Sequence, residues 1–334
     1  LKISLLRTGW KLKRSKGFMA KNNAVDISEN DILDMGKDIL NILLIDRTTK
    51  RNIIWATSDY EILGKSYNAK LPITIDLITE GNSGIIQPRV TKNKNEQLSR
   101  TKGKAEVFTP SWICNVQNNL IDNEWFGKEN VFNTEKEKSW VSTKSVIVFP
   151  NDKNHTWKKY VDDKRLEITC GEAPYLVSRY DTVTGKPINI NARIGLLDRK
   201  LQVVNENTEN VDEWFKWTKR AFESIYGFEF QGDSLLLARE NLLFTFIDNF
   251  RYKFKCEPNY KQIKEIATVI SWNIWQMDGL KFTVPYEDIF EQYYQLTLDG
   301  MNIESKQPCY CKIKDWRSKK ILTYKSMIMK EGDN

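Results

Sequence analysis

The segment EITCGEAPYL, residues 167–176, decides the fold predicted for this chain. It begins in a short strand predicted from Arg165 to Thr169, turns at Gly171 and continues into an apolar segment of helical character. Upstream, the segment VFTP, residues 107–110, leads into another helix, which Thr109 can cap and whose first turn Pro110 can occupy. Together, the two segments predict a helix, then a strand, a glycine turn and a further helix.

Strands and helices alternate through the rest of the chain. Apolar residues at helical spacing predict helices over residues 214–225, 234–250 and 260–267. Short apolar runs predict strands at 195–197, 201–204, 227–230 and 269–274. This alternation predicts an α/β protein with a largely parallel sheet.

The N-terminal quarter differs from the remainder in its patterning. Residues 1–25 show no apolar period and are expected to be disordered or foreign to the native chain. Residues 26–100 are expected to form a small α+β subdomain, with an amphipathic helix over 25–45 and short strands at 52–56 and 72–75. The main α/β domain is expected over 101–330, with an insertion near 123–160 that is rich in Trp, Asn and Lys.

Bulk composition excludes several classes of protein. Of the 334 residues, 40% are hydrophobic and 12% aromatic, which is typical of a folded chain. No apolar run approaches the roughly 18 residues of a membrane-spanning helix, so no membrane association is expected. The five cysteines form no Cys-x-x-Cys pair, which indicates a reducing, cytoplasmic compartment and no metal site. His155 is the sole histidine, which argues against a Ser-His-Asp hydrolase.

The charge of the chain suits a polyanionic partner. The net charge is +7, and basic residues concentrate in segments 2–21 and 89–104. The second segment predicts a DNA-binding loop, with a solvated basic loop as the alternative. The residues expected to contact DNA phosphates are Arg89, Lys92, Lys94, Arg100, Lys102 and Lys104.

The segment 167–176 resembles the first cofactor-binding motif of DNA adenine methyltransferases, which typically reads EPSCGDGAFL and follows an F-T-P segment. It matches that motif at Glu167, Cys170, Gly171 and Leu176, and departs from it at Ala173 and Pro174. Further resemblances follow in the order of the family, first Gly227-Phe228-Glu229 before a helix containing ARENL (238–242), and then NIWQMDGL (273–280). Over about residues 100–285 the chain is similar to the modification subunits of restriction–modification systems.

The resemblance implies a Rossmann-like, S-adenosylmethionine-dependent methyltransferase fold. It implies S-adenosylmethionine as cofactor, DNA as partner, and a restriction or specificity subunit as a further candidate partner. Gly171 would lie against the amino-acid part of the cofactor, Glu229 would accept from the ribose hydroxyls, and Asp278 would recognise the adenine amino group. Cofactor-binding residues implied in this way are Phe108, Thr109, Pro110, Glu167, Cys170, Gly171, Glu229 and Asp278.

The chain departs from the family at the catalytic loop. The family transfers its methyl group at an Asn/Asp-Pro-Pro-Tyr/Phe loop, whose aromatic ring stacks on the flipped base. No Pro-Pro dipeptide occurs here, and the nearest counterpart is Thr283-Val284-Pro285-Tyr286. Thr283, Pro285 and Tyr286 are therefore candidates, and no catalytic residue is assigned.

Three functions are carried forward. The first is an adenine-specific DNA methyltransferase, and the second is a catalytically inactive relative that binds DNA or a partner subunit. The third is a magnesium-dependent nuclease, in which Asp181 and Asp198-Arg199-Lys200 would hold the metal and orient water. Four tryptophans could stack on an extruded base, with core packing as the alternative, namely Trp112, Trp125, Trp140 and Trp157.

Overall fold

The computed structural model describes residues 27–93, 97, 109–287, 291–297 and 300–328. Its helices are α1 Glu29–Met35, α2 Lys37–Leu44, α3 Ser111–Phe126, α4 Trp157–Asp162, α5 Leu196–Asn207, α6 Val211–Glu223, α7 Gly232–Phe254, α8 Tyr260–Asn273 and α9 Tyr324–Ile328. Its strands are β1 Asn133–Lys136, β2 Ser139–Ser142, β3 Arg165–Ile168, β4 Ile225–Glu229, β5 Ile274–Gln276, β6 Glu291–Thr297, β7 Gly300–Lys306, β8 Lys312–Lys314 and β9 Ile321–Thr323. Within these residues, no helix combines the length and apolar character needed to cross a membrane.

Strands β3, β4 and β5 form a parallel sheet in that spatial order. The register pairs Arg165 with Ile225 and Gly227 with Ile274. Helices α5 and α6 connect β3 to β4, and α7 and α8 connect β4 to β5, so both connections are the crossovers that parallel pairing requires. The central strand β4 is buried along its whole length. A mixed α/β architecture with a parallel sheet is thereby confirmed.

Helix α7 lies at the centre of the core. It is apolar on nearly all sides over residues 235–247, and a helix with that pattern has to be buried. Within it, the buried guanidinium of Arg239 donates hydrogen bonds to the carbonyl oxygens of Leu43, Ile45 and Ile274 at 2.5, 3.0 and 2.8 Å. These oxygens lie at the C-terminal ends of α2 and α8, where helical carbonyls lack internal partners. Arg239 therefore joins the N-terminal subdomain to the sheet.

The strands predicted at 195–197 and 201–204 are wrong, because this region is helix α5. The Gly195 N–H donates to Asp198 Oδ2 at 3.1 Å and so closes the first turn. Leu197, Leu201 and Val204 recur at helical spacing and are fully buried. A short run of Leu and Val indicates strand or buried helix equally well, and only packing distinguishes the two.

Other predicted boundaries also move. Residues 269–273 complete helix α8, and β5 begins only at Ile274. The helix predicted over 25–45 is broken at Gly36, whose φ of +149° separates α1 from α2. The strands predicted at 52–56 and 72–75 are reduced to isolated pairings such as that of Ile54 with Pro72.

The insertion near 123–160 contains the β1–β2 hairpin, helix α4 and a cluster of aromatic rings. Trp125 packs edge-on against Tyr160, with ring centres 5.0 Å apart. The Trp140 Nε1 donates to the carbonyl oxygen of Ala192 at 2.8 Å. Trp157 packs against Trp217, with ring centres 4.9 Å apart. These three tryptophans are therefore placed in packing contacts, which supports the packing alternative, and Trp112 is partly buried at the start of α3.

Helices α1 and α7 each bury a carboxyl group, and the two groups repel each other. Glu29 is 2% exposed and Glu240 is 0% exposed. Within the described part of the chain, neither Glu240 oxygen has a hydrogen-bond partner. Burial raises the pKa of Glu29 to about 7 and the pKa of Glu240 well above its ordinary value.

We expect the free energy of unfolding to fall as the pH rises from 4.5 to about 7, because the native chain then holds protons that the unfolded chain has released. For Glu29 this fall is roughly 3 kcal/mol, since one pKa unit corresponds to about 1.4 kcal/mol. Glu240→Gln should flatten the dependence, because it removes one of the two buried acids. Urea unfolding at several pH values measures the effect. Glu129→Gln, which changes an exposed acid, should keep the parent's dependence, and the same dependence in all three proteins would refute the assignment.

Candidate functional site

Gly171, Glu229 and Asp278 lie at the carboxyl ends of three neighbouring parallel strands. Gly171 N donates to Glu229 Oε2 at 2.9 Å, so the turn after β3 contacts the acid that ends β4. Met277, the residue before Asp278, donates from its N–H to the Glu229 carbonyl oxygen at 3.0 Å. The structure thus brings the three residues to one edge of the sheet, although they are far apart in sequence.

The Glu229 carboxylate organises this edge. It is 8% exposed and accepts hydrogen bonds from the backbone N–H groups of Gly171, Phe230 and Gln231. Burial raises the pKa of Glu229, and these three N–H donors oppose that rise. Its Oε2 accepts one of the three bonds, so this oxygen retains capacity for a further donor.

The turn after β3 is tight and left-handed. Gly171 has a φ of +51° and Ala173 a φ of +64°, and the Ala173 N–H donates to the Cys170 carbonyl oxygen at 2.6 Å. Across the sheet, a side chain at Gly227 would meet Cys170 Cβ at 3.1 Å, which is why the central strand has no side chain there. The positive φ at Ala173 marks the position where this segment departs from the family motif.

Glu167, in strand β3, is a buried acid that contacts the turn. Its Oε1 accepts from Tyr175 N at 3.3 Å, whereas Oε2 is buried and has no hydrogen-bond partner in the described structure. Burial raises the pKa of Glu167 well above its ordinary value. Cys170 beside it is also buried, and burial raises the pKa of its thiol, so Cys170 serves in packing and not as a nucleophile.

The segment before α3 lies beside the same turn. Thr109 accepts a hydrogen bond at its carbonyl oxygen from Thr182 Oγ1 at 2.9 Å. Its predicted capping role is wrong, because Pro110 itself occupies the position before α3 and no side chain caps the helix. Asn118 of α3 donates to the Tyr175 carbonyl oxygen at 3.0 Å, which ties α3 to the turn. Phe108 lies outside the described residues.

Asp278 shapes a turn at the end of β5. Its Oδ1 accepts from the N–H groups of Leu280 and Lys281 at 3.0 and 3.1 Å. A side chain at Gly279 would lie 2.8 Å from the ring of Phe228, so this turn packs closely on β4. Asp278 Oδ2 takes no part in these backbone hydrogen bonds and lies 4.0 Å from Lys281 Nζ in an ion pair.

A cleft of about 410 Å³ opens next to this edge, between the N-terminal subdomain and the chain after β5. Tyr286 lines it, is 40% exposed, and packs edge-on against Phe230 with ring centres 5.8 Å apart. Pro285 lines it as well. Thr283 does not, because it is only 1% exposed and its backbone pairs with Asp278 and Tyr310. Of the three candidates for the catalytic loop, two therefore reach the cleft.

The basic segment is only partly described, and Lys94, Arg100, Lys102 and Lys104 lie outside the described residues. Lys92 does not project into solvent as predicted, since its side chain is 10% exposed and its Nζ lies 3.5 Å from Asp233 Oδ2. The Arg89 N–H donates to Glu172 Oε1 at 2.7 Å, which links the N-terminal subdomain to the turn after β3. Arg89 and Lys92 thus both make contacts within the chain, and their predicted contact with DNA stays a prediction.

The residues considered for a nuclease have separate structural roles. Asp181 Oδ1 accepts from the N–H groups of Val183 and Thr184 in a turn, and Asp198 Oδ2 accepts from Ser178 and Gly195. Arg199 pairs with Asp122, and Lys200 Nζ donates to Val161 O and Ser224 Oγ. In the part of the chain that the structure describes, no group of three or more His, Cys, Asp or Glu side chains could hold a metal.

Two polar residues important for this site are not indicated by local patterns. Gln276 donates to the carbonyl oxygens of Ile54 and Phe230, each at 2.8 Å, and so attaches the N-terminal subdomain to the sheet edge. Asn241 of helix α7 donates to the Glu172 carbonyl oxygen at 3.3 Å and thereby attaches α7 to the turn after β3. Both residues lie within the quoted segments ARENL and NIWQMDGL, but Asn241 follows Arg239 and Glu240 directly, so no local pattern singles it out.

The glycine turn and the acids therefore lie together at adjacent strand ends. The cleft with the aromatic wall is a neighbouring feature, lined by Gln276 and Tyr286 and not by Gly171, Glu229 or Asp278. Such an edge can bind a ligand that carries amino groups, hydroxyl groups and a planar ring.

Comparison of the chain with protein-family models, with curated proteins and with solved structures found no match in any of the three.

Proposed function

We propose that this chain is a DNA-modification protein of the adenine-methyltransferase type, which binds S-adenosylmethionine at the carboxyl edge of β3, β4 and β5. The observation that carries this proposal is the 2.9 Å hydrogen bond between Gly171 and Glu229, which joins two motifs 58 positions apart. Ligands of open α/β sheets bind beyond the carboxyl ends of the strands. The spatial order β3-β4-β5 is also that of one half of a doubly wound sheet, which supports a Rossmann-like fold.

The side chains at this edge fit the chemical groups of the cofactor. Glu167 Oε2, a buried acceptor without a hydrogen-bond partner in the described structure, would accept from the ammonium group. Glu229 Oε2 has capacity for a ribose hydroxyl. Asp278 Oδ2 would accept from the adenine amino group beside its ion-pair partner Lys281, whose side chain is half exposed. When bound, the cofactor supplies an electrophilic methyl group.

DNA is the proposed substrate because of the cleft next to the edge. Tyr286 offers a half-exposed ring there, and such rings stack on bases that have left the duplex. Phe230 directly follows Glu229, so the ring of Tyr286 is held close to the proposed cofactor position. A restriction or specificity subunit would supply recognition of the DNA sequence.

Asp278→Asn is expected to weaken S-adenosylmethionine binding about tenfold. A hydrogen bond to a charged acceptor contributes about 1.5 kcal/mol, and a loss of about 1.4 kcal/mol corresponds to a tenfold change in affinity. Isothermal titration calorimetry measures this effect. The matched control is Asp181→Asn, since Asp181 forms the same kind of turn away from the sheet edge. We expect the control to bind as the parent does. Absence of binding by the parent at millimolar cofactor would reject the proposal.

A catalytically inactive relative is the second candidate, and the burial of Thr283 favours it. At 1% exposure, Thr283 cannot take the place of the polar residue that accepts from the target amino group. A methyl-transfer assay on unmodified genomic DNA with labelled cofactor separates the candidates. Cofactor binding without transfer, both for the chain alone and with its candidate partner subunits added, would establish the inactive form.

A further inference from the structure

Two cations of the N-terminal subdomain, Arg51 and Lys70, line the cleft beside Tyr286, together with the acids Asp46 and Glu287. Lys70 Nζ lies 5.6 Å from the centre of the Tyr286 ring, within the range of a cation–π contact. Arg51 lines the same cleft and forms an ion pair with Glu287. The side chain of Arg51 is 67% exposed, so it can change partner without disturbing the core. Both cations thus border the ring that follows β5.

Tyr286 is held in an unusual backbone conformation. Its φ is +64°, in the left-handed region that residues other than glycine rarely adopt. The ring is nevertheless 40% exposed, and its edge contact with Phe230 sets its orientation. Nine other non-glycine residues in the described part of the chain also have a positive φ, so this conformation sets the direction of the ring and does not by itself mark a ligand site.

The acids of the cleft differ in their availability. Asp46 is 2% exposed and accepts hydrogen bonds from the Thr48 N–H and from the N–H and hydroxyl of Thr49, so its carboxylate is held inside its own turn. Glu287 is instead paired with Arg51 at the mouth of the cleft. A carboxylate bound to arginine occupies the position that a phosphate would take, because both anions accept paired hydrogen bonds from a guanidinium.

We propose that Arg51 and Lys70 form a phosphate-binding pair for a single-stranded stretch of nucleic acid, one of whose bases lies on the Tyr286 ring. In the free protein, the Glu287 carboxylate occupies the phosphate position on Arg51. Binding exchanges this carboxylate for the backbone phosphate, and Lys70 contacts the neighbouring phosphate. The inference rests on the proposed function and deepens it, since it assigns DNA contact to Arg51 and Lys70 of the N-terminal subdomain, beside the cleft.

Salt dependence separates the two kinds of contact. Each phosphate neutralised on a single strand contributes about 0.7 to the slope of log K against log salt concentration. Stacking of a base on an aromatic ring changes the affinity with little effect on that slope. The Lys70 and Tyr286 contributions can therefore be measured independently in one titration series.

The experiment is fluorescence anisotropy with a labelled single-stranded oligodeoxynucleotide of roughly ten bases, over a series of salt concentrations, with the full chain. Lys70→Gln should weaken binding about threefold to tenfold and reduce the slope by about 0.7. Tyr286→Leu should weaken binding at least about fivefold with an unchanged slope. Glu287→Gln should strengthen binding about twofold to fivefold, because it frees Arg51.

Lys65→Gln is the matched control, since Lys65 is exposed in the same subdomain and does not line the cleft. Equal weakening by Lys70→Gln and Lys65→Gln, or weaker binding by Glu287→Gln, would overturn the inference. Thermal melting shows whether each variant is folded. Calorimetry with S-adenosylmethionine tests the sheet edge separately. Cofactor binding without oligonucleotide binding overturns this inference alone, and oligonucleotide binding without cofactor binding overturns the proposed cofactor site alone.

Discussion

Arg199→Met is expected to lower the free energy of unfolding by about 3–5 kcal/mol. Arg199 is 1% exposed and donates to Asp122 Oδ2 at 2.6 Å, and to the side-chain oxygens of Asn115 and Asn119 at 2.9 and 2.7 Å. Methionine fills a similar volume, but it leaves the Asp122 carboxylate buried without its cation. It also removes the donor from two buried amide oxygens. Because these residues join α3 to α5, the loss affects the packing beneath the turn after β3.

Chemical denaturation followed by circular dichroism measures this loss, and Arg251→Met is its control. Arg251 forms an ion pair with Glu257, but the two side chains are 50% and 66% exposed. An exposed pair contributes about 0–1 kcal/mol, so the control should remain close to the parent. Similar losses in the two variants would show that the buried network contributes no more than a surface pair does.

Gly232→Ala is expected to destabilise the chain by about 3 kcal/mol, the upper part of the range for overpacking. A Cβ at this position would lie 2.0 Å from the carbonyl oxygen of Ile54, which is backbone and cannot rotate away. The Gly232 N–H also donates to the Trp55 carbonyl oxygen at 2.9 Å, so the contact joins the start of α7 to the N-terminal subdomain. Moving Ile54 to relieve the clash would disturb one wall of the cleft beside Tyr286.

Gly81→Ala tests whether the effect depends on this contact. The methyl group of an alanine at position 81 would have no atom within 4 Å, and the backbone of Gly81 is not left-handed. The control should therefore stay within about 0.5 kcal/mol of the parent in the same denaturation experiment. We also expect Gly232→Ala to weaken binding of the labelled oligonucleotide. A Gly232→Ala protein as stable as the Gly81→Ala protein would mean that the subdomain is free to shift on α7.

Two segments quoted for the methyltransferase resemblance meet at the sheet edge, whereas the counterpart of the catalytic loop is partly buried. Glu229 and Gly171 were paired only as members of an ordered set of motifs, and the folded chain joins them by a hydrogen bond. Thr283, which stands nearest to the polar residue of the family loop, is instead buried in a backbone pairing. The local pattern Thr-Val-Pro-Tyr does not indicate which of its side chains reach a cleft, because that depends on pairing with Tyr310.

Local sequence was sufficient for the elements with strong periodicity. Helix α7 was predicted over 234–250 and is observed over Gly232–Phe254, because a long apolar run of helical spacing has few alternatives. The alternation of such helices with short strands also predicted the three-stranded parallel sheet, whereas the other six described strands form antiparallel pairs. The strand predictions within 195–204 were wrong for the opposite reason. A short run of Leu and Val fits both the helical and the strand period, and only its packing partners decide between them.

Long-range packing settled everything that joins the N-terminal subdomain to the sheet. Gln276 bonds to Ile54 across 222 positions, and Arg239 bonds to Leu43 across 196. No local period encodes such contacts, because they satisfy polar groups that become buried only when both elements are in place. The aromatic ring and the two cations of the cleft also come from segments that are far apart in sequence. The cleft therefore forms only when these segments pack together.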